Sequence, residues 1–234
     1  MRLKTDSQAE TLRRQQRFIN DVSHELRTPL TIIRGYIDLL ELSGAKDQKL
    51  FDEAISSVKK AAQNMQNLVE SLLFLARADQ GSQPLTMVPV DLDESLKKFV
   101  EAYRSPRVQI SKLAPCKILA DAEFLKKMFA AFLDNALNYS PPEAVVKIEL
   151  TVAEHVATLK FIDKGIGIAK DDREKIFERF YRTDKARTSR DAGESSVGLG
   201  LSVAKWIADR HNITISVKSR PNIGSTFTLT IPTI

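Results

Sequence analysis

The sequence predicts an α+β protein in two parts. A two-helix hairpin pairs with a second copy into a four-helix bundle, and an α/β sandwich follows, with helices layered on one face of a mixed sheet. Three observations predict it. Apolar residues keep helical spacing over the first 80 positions. Gln80-Gly81-Ser82-Gln83-Pro84 then breaks the pattern. Beyond the break, short alternating strands are segregated from strong helices.

The first helix is predicted from about Thr5 to Leu42, with Pro29 as an interior irregularity that removes one hydrogen bond. Ile19, Val22, Leu26, Leu30, Ile33, Ile37 and Leu40 fall in one stripe. At about 100° per residue, His24 lies roughly opposite that stripe, with Thr28 one turn later and Glu25 beside them. An imidazole titrates near neutrality, and a solvent-facing one next to a carboxylate is suited to exchange with a visiting molecule. Ser43–Asp47 forms the turn into a second helix carrying Phe51, Ile55, Val58, Ala62, Met65, Val69, Leu72 and Ala76. Ala54, Ala61, Leu68 and Leu75 widen its apolar face beyond what a single hairpin covers, so a homodimer is expected.

The expected domains are 1–80, a linker 81–89 and 90–234. In the last of these a helix spans Asp91–Tyr103, with Asp91 as its cap. Strands follow at Val108–Ser111 and Lys117–Ala120, then a helix at Asp121–Tyr139. Val145–Val152 and Ala157–Ile162 form paired strands. A helix runs from near Gly198 to His211, and strands at Ile213–Lys218 and Thr226–Ile231 complete the sheet. Trp206 reads as core of that helix, His155 as a hairpin-turn residue, and His211 as an imidazolium complementing a helix end.

Composition narrows the function classes. The chain has 234 residues, 43% hydrophobic and 28% charged, as ordinary globular proteins do. No run of about 18 apolar residues spans a bilayer, and no signal-peptide core opens the chain. The lone Cys116 excludes an internal disulfide and fits a reducing compartment. The net charge is +5, but basic residues are not clustered with aromatics, so no nucleic-acid partner is expected.

Four patches in the second half carry chemistry. Asn135 and Asn138 lie within one helical turn, and amide oxygens suit magnesium. Asp163-Lys164-Gly165-Ile166-Gly167-Ile168 follows a strand, where a carboxylate accepts from an amino group on a base and glycines admit a flat ligand. Phe177-Glu178-Arg179-Phe180-Tyr181-Arg182 joins aromatic anchors to guanidinium groups suited to phosphate. Gly198-Leu199-Gly200-Leu201 opens a helix whose free N–H groups favour an anion. Each is weak alone; four in this order, below a hairpin bearing His24, are specific.

In these motifs the chain resembles the cytoplasmic kinase core of two-component sensor histidine kinases. Ser23–Leu30 is similar to the family's phosphoacceptor box, Leu133–Ser140 to its asparagine box and Phe177–Arg182 to its phenylalanine box. Asp163–Ile168, Gly198–Leu201 and Gly224-Ser225-Thr226-Phe227 are similar to its glycine boxes. The resemblance implies an ATP-binding domain of the type shared with gyrase and Hsp90, with ATP and Mg2+ as cofactors. It implies His24 as phosphate acceptor, with Glu25 assisting it and Thr28 orienting water in a phosphatase reaction on a response regulator receiver domain. It implies Asn135 as magnesium ligand, Tyr139 near adenine, Asp163 on the adenine amino group and Arg179 near the terminal phosphates. The remaining nucleotide-binding positions it implies are Asn138, Gly165, Gly167, Ile168, Phe177, Phe180, Lys185, Gly198, Leu199, Gly200, Leu201 and Thr226. Polar Thr183–Val197 is expected as a lid.

The chain departs from the family at Ala131 and Asn138, where Asn and Lys are common, and at Ser195-Ser196 and Asn222, where Gly is common. A kinase-impaired phosphatase or nucleotide-binding scaffold is therefore the alternative. Ala131 stands where hydrolysing relatives carry a water-activating Glu, which disfavours an ATPase machine. A cytoplasmic location is expected, with any membrane attachment through a segment outside this chain.

Overall fold

A computed structural model describes residues 2–43, 47–183 and 197–234. The helices are α1 (Arg2–Ser43), α2 (Gln48–Asp79), α3 (Leu92–Tyr103), α4 (Ala122–Asn138) and α5 (Gly200–Arg210). The strands are β1 (Val88–Asp91), β2 (Val108–Leu113), β3 (Lys117–Ala120), β4 (Val146–Ala153), β5 (Val156–Ile162), β6 (Thr214–Arg220) and β7 (Gly224–Pro232). Single 3-10 turns occupy Lys170–Asp172 and Lys175–Phe177. Contacts divide the chain into two compact units, Met1–Leu72 and Leu73–Ile234.

In the first unit α1 carries Pro29 in its interior. The Ser23, Thr28 and Thr31 hydroxyls donate to the carbonyls of Ile19, His24 and Arg27, four residues back, a pattern that often bends helices. Asp47 caps α2, its Oδ1 accepting from the N–H groups of Lys49 at 2.9 Å and Leu50 at 3.3 Å. Ala54, Ala61 and Leu68, seven residues apart, are buried within one chain. Ile19, Leu30, Ile37, Phe51, Ile55 and Val69 remain 36–57% exposed. One hairpin thus covers the narrow alanine-rich stripe and leaves the broad one open.

The second unit is built on a five-stranded sheet of order β2-β4-β5-β7-β6. β2 runs parallel to β4, and the other pairs are antiparallel, giving the expected mixed sheet. Alternation puts Ile148, Leu150, Leu159, Phe161, Phe227 and Leu229 on one fully buried face. Phe132 of α4 stacks on Phe161 at 5.5 Å and meets Phe227 at 5.4 Å. Phe99 brings α3 to Phe129 at 5.7 Å, and α5 packs beside α4. The last turns of α2 belong to this unit, because Phe74 lies edge-on to Phe124 at 5.7 Å and Trp206 at 5.0 Å.

Several local features differ from expectation. The segment 81–89 contains the start of β1, which pairs antiparallel with β3 from Val88↔Ala120 to Asp91↔Lys117. Thr86 N–H also donates to Asp121 Oδ2 at 2.9 Å. Pro89 obscures so short a strand in the sequence, and a two-stranded edge tolerates it. Asp91 stands at the N-cap position of α3 but makes no side-chain cap; its carboxylate pairs instead with Lys117 at 3.3 Å. His211 is structural, as expected, though it does not complement the helix dipole as an imidazolium. It is buried, its Nδ1–H donates to Ile207 O at 2.8 Å, and its Nε2 accepts from Asp121 N–H at 3.0 Å. Those opposite roles require the neutral ring. Asp121 caps α4 through Glu123 and Phe124 N–H groups, so His211 locks the ends of α4 and α5 together. Glu154 and His155, at φ 47° and 64°, form the β4–β5 turn as expected.

Candidate active site

In the first unit His24 and Thr28 are exposed and Glu25 is half-buried on α1. The exposure of His24 and Thr28 agrees with the solvent-facing side expected of them.

In the second unit, the site forms where α4, the loop after β5 and the β6–β7 turn converge. Asp163, at the end of β5, is 7% exposed. Its Oδ1 accepts from Gly165 N–H at 2.8 Å and Ser225 N–H at 3.0 Å. Burial pushes its carboxyl pKa up, opposed by the hydrogen bonds from Gly165 and Ser225. Gly165 is required by close approach: a Cβ there would sit 2.3 Å from Tyr139 O, the carbonyl that accepts from Ile166 N–H at 3.0 Å. Gly167 has φ +66°, and its Cβ would meet Arg220 O at 2.0 Å. Asn222 adopts φ 61°, as its Gly-like position demands, and its N–H donates to Ile166 O at 2.7 Å.

Asn135, Asn138 and Tyr139 end α4 and are half-buried. Arg107, which the sequence did not single out, clamps this end. Its Nη2 donates to the carbonyls of Leu137 and Ser140 at 3.3 Å and of Pro141 at 2.8 Å, and its Nε to Ala144 O at 3.1 Å. Ser219 is a second unforeseen member. Its Oγ accepts from Ile168 N–H at 2.7 Å, donates to Gly224 O at 2.9 Å and lies 3.0 Å from Ser225 Oγ. Thr226 stands apart from these groups. Strand alternation turns it to the sheet face opposite Ser225, where it pairs with Ile162 and Lys218. Ser225, one residue earlier in the same motif, is the residue that reaches Asp163.

The other end of the site joins Phe177–Arg182 to the start of α5. Phe180 N–H donates to Gly198 O at 2.9 Å, with Phe180 at φ 60° and Gly198 at φ +75°. A Cβ on Gly198 would press on Phe180 at 2.9 Å. Leu199 is buried, and its side chain makes no cap, so no side chain of the N-cap satisfies the first N–H groups of α5. Phe177 and Leu201 are half-buried here, and Gly200 opens α5. Gly200 faces Ala131, whose Cβ lies 3.7 Å from where a Cβ on Gly200 would stand, so this helix start adjoins the turn of α4 before Asn135. The Arg179 guanidinium is bound to Asp79 of α2, Nη1 to Oδ2 at 2.8 Å and Nη2 to Oδ1 at 2.6 Å. Lys185 and nearly all of Thr183–Val197 lie outside the described residues.

The donor set fits magnesium sparingly. Asn135 could supply one amide oxygen and Ala131 none, and no cluster of three acidic, His or Cys residues occurs among the described residues. None of the described helices is long and apolar enough to cross a membrane.

Fold and site together define the class: a helical phospho-acceptor unit joined to an ATPase-type α/β sandwich. Two family models match, the His Kinase A (phospho-acceptor) domain over residues 14–81 and the histidine kinase-, DNA gyrase B- and HSP90-like ATPase over residues 120–234. Sensor histidine kinase YkoH of Bacillus subtilis is 37% identical over 220 residues, 92% of this chain and 47% of that protein. The structure of Acinetobacter baumannii histidine kinase AdeS aligns with TM-score 0.66 at 26% identity, covering 89% of this chain and 97% of that one. Full-length ShkA in complex with AMPPNP aligns with TM-score 0.63 at 25% identity, covering 90% of this chain and 44% of that one. The chain belongs to the sensor histidine kinase family of two-component systems. It spans about half the length of the curated relatives it matches, 47% and 49% for the first two.

Proposed function

We propose that this chain is an ATP-dependent kinase core that phosphorylates its own His24 and passes the phosphoryl group to an aspartate of a response regulator receiver domain. Adenine sits in the Asp163–Ile168 cradle against Tyr139, its amino group donating to the Asp163 carboxylate. The phosphates run toward Arg179 and the start of α5, where N–H groups and a guanidinium offset their charge. Asn135 would hold Mg2+, which neutralises phosphate charge when bound. A ring nitrogen of neutral His24 bonds to Pγ as the bond from Pγ to the β,γ-bridging oxygen breaks, and ADP leaves. Glu25 holds the proton on the other ring nitrogen and so stabilises the developing imidazolium charge. The receiver carboxylate then attacks the phosphorus, breaks the N–P bond and restores His24. Thr28 orients water for the reverse control, hydrolysis of the regulator's acyl phosphate.

A homodimer is the working form, supported by the exposed apolar stripes of α1 and α2. The core works in the cytoplasm, and any membrane attachment is through a segment outside this chain. One observation carries the reading: an exposed histidine on an apolar-striped helix joined to a unit whose buried carboxylate is walled by Gly165 and Gly224.

Terminally labelled ATP with magnesium tests it. Acid-labile, base-stable label on the chain, lost in His24→Ala, is the expected result. Ala131, which leaves magnesium one ligand poorer, favours the kinase-impaired phosphatase or scaffold instead; nucleotide binding without label would replace the kinase reading with that one.

A further inference from the structure

Arg179 and Asp79 stand 100 residues apart in sequence yet form a bidentate pair, with one carboxylate oxygen on each terminal guanidinium nitrogen. Both partners are held from behind. Phe74, five residues before Asp79, is wedged edge-on between Phe124 and Trp206. Arg179 precedes Phe180, whose backbone is bonded to Gly198 beside the start of α5. Arg179 is thus one residue from the segment bonded to the start of α5, and its two-pronged donor face is already occupied.

We infer that Asp79 is an internal competitor of the nucleotide's terminal phosphate for Arg179, and so sets affinity according to phosphate number. The inference rests on the reading that Arg179 serves the phosphates. A carboxylate and a phosphate oxygen pair both prefer the same planar fork of a guanidinium. Two anions cannot share that fork without facing each other's charge, so a phosphate that takes the Nη1–Nη2 pair of Arg179 displaces Asp79. A nucleotide too short to reach Arg179 leaves the pair intact and gains nothing from its removal. The competition is moderate, because Asp79 is 57% exposed and the pair is screened by water.

Calorimetric titration of the full chain with AMPPNP and with AMP, each with magnesium, tests this in four variants. Asp79→Asn binds AMPPNP roughly two- to fivefold tighter and AMP unchanged. Asp79→Glu keeps the wild-type values. Arg179→Ala weakens AMPPNP binding, and Asp79→Asn then has no effect in that background. If Arg179→Ala weakens AMPPNP but Asp79→Asn leaves it unchanged or weaker, Asp79 is a bystander or a support and the competition is refuted while the phosphate reading stands. Tightening of AMP as well refutes it too, since the effect is then not tied to the terminal phosphates. If Arg179→Ala leaves AMPPNP binding unchanged, the phosphate role of Arg179 falls, and the competitor with it.

Discussion

Asp163 is asked to be charged in a place that resists charge. Burial raises its pKa, and the N–H groups of Gly165 and Ser225 only partly offset that. The native state then holds the proton more tightly than the unfolded chain does. This group's contribution to stability therefore falls as pH rises through its raised pKa. On the proposed reading binding runs the other way, since the ionised carboxylate is the stronger acceptor for the adenine amino group. Nucleotide affinity is expected to fall on acidification with a midpoint above the ordinary Asp value of about 3.9. Asp163→Asn abolishes that pH dependence and weakens binding by roughly 10- to 100-fold, the worth of a hydrogen bond to a charged acceptor. Titrations of wild type and variant across the acid range check both; an unchanged profile in Asp163→Asn would assign the titration to another group.

The end of α4 shows what elements add to residues. Helix carbonyls at a C-terminus lack intrahelical donors, and here Arg107, just before β2, donates to the Leu137 carbonyl of α4 and to those of Ser140 and Pro141 just past its end. The same end carries Tyr139 O, which receives Ile166 N–H and so holds the glycine loop in place. Arg107→Met is expected to cost about 1–3 kcal/mol of stability by stranding these carbonyls. It should also raise the Kd for ATP several-fold, and Arg107→Lys should recover part of both. Thermal melts and nucleotide titrations measure the two; a destabilised variant with wild-type affinity would reduce Arg107 to a fold contact. The contrast with what was legible beforehand is physical. α4 was plain because Phe129, Phe132, Leu133 and Ala136 repeat at helical spacing, and the β4–β5 hairpin because its strands alternate. Asp163 and its glycines were legible because close backbone approach needs Gly, a choice written in the sequence. Arg107 was invisible because its partners are carbonyls 30 to 37 residues away, and every residue type carries a carbonyl. Ser225 was missed by one position, because only the register of β7 against β5 decides which residue of Gly224–Phe227 faces Asp163.

At the scale of the whole molecule, the two units bury their apolar surface differently, and this has a consequence for assembly. The second unit closes its own core, with Phe129, Phe132, Phe161 and Phe227 at zero exposure. The first does not: Ile37 and Val69 are 47% and 44% exposed on one chain, within stripes running the length of both helices. Apolar stripes of that extent are the signature of a helical bundle completed by a partner. A lysine at either position would place a charge in the closed bundle, weakening association at least roughly 30-fold. Ile37→Lys or Val69→Lys is therefore expected to shift light-scattering mass from dimer to monomer. Because Asp163 and the glycine loop, the proposed adenine cradle, belong to the second unit, AMPPNP affinity should stay within about twofold of wild type. Labelling of His24 in the monomeric variant then reports whether phosphoryl transfer needs the second copy. A wild-type chain that scatters as a monomer at micromolar concentration would remove the dimer from the mechanism and leave the open stripes to another partner.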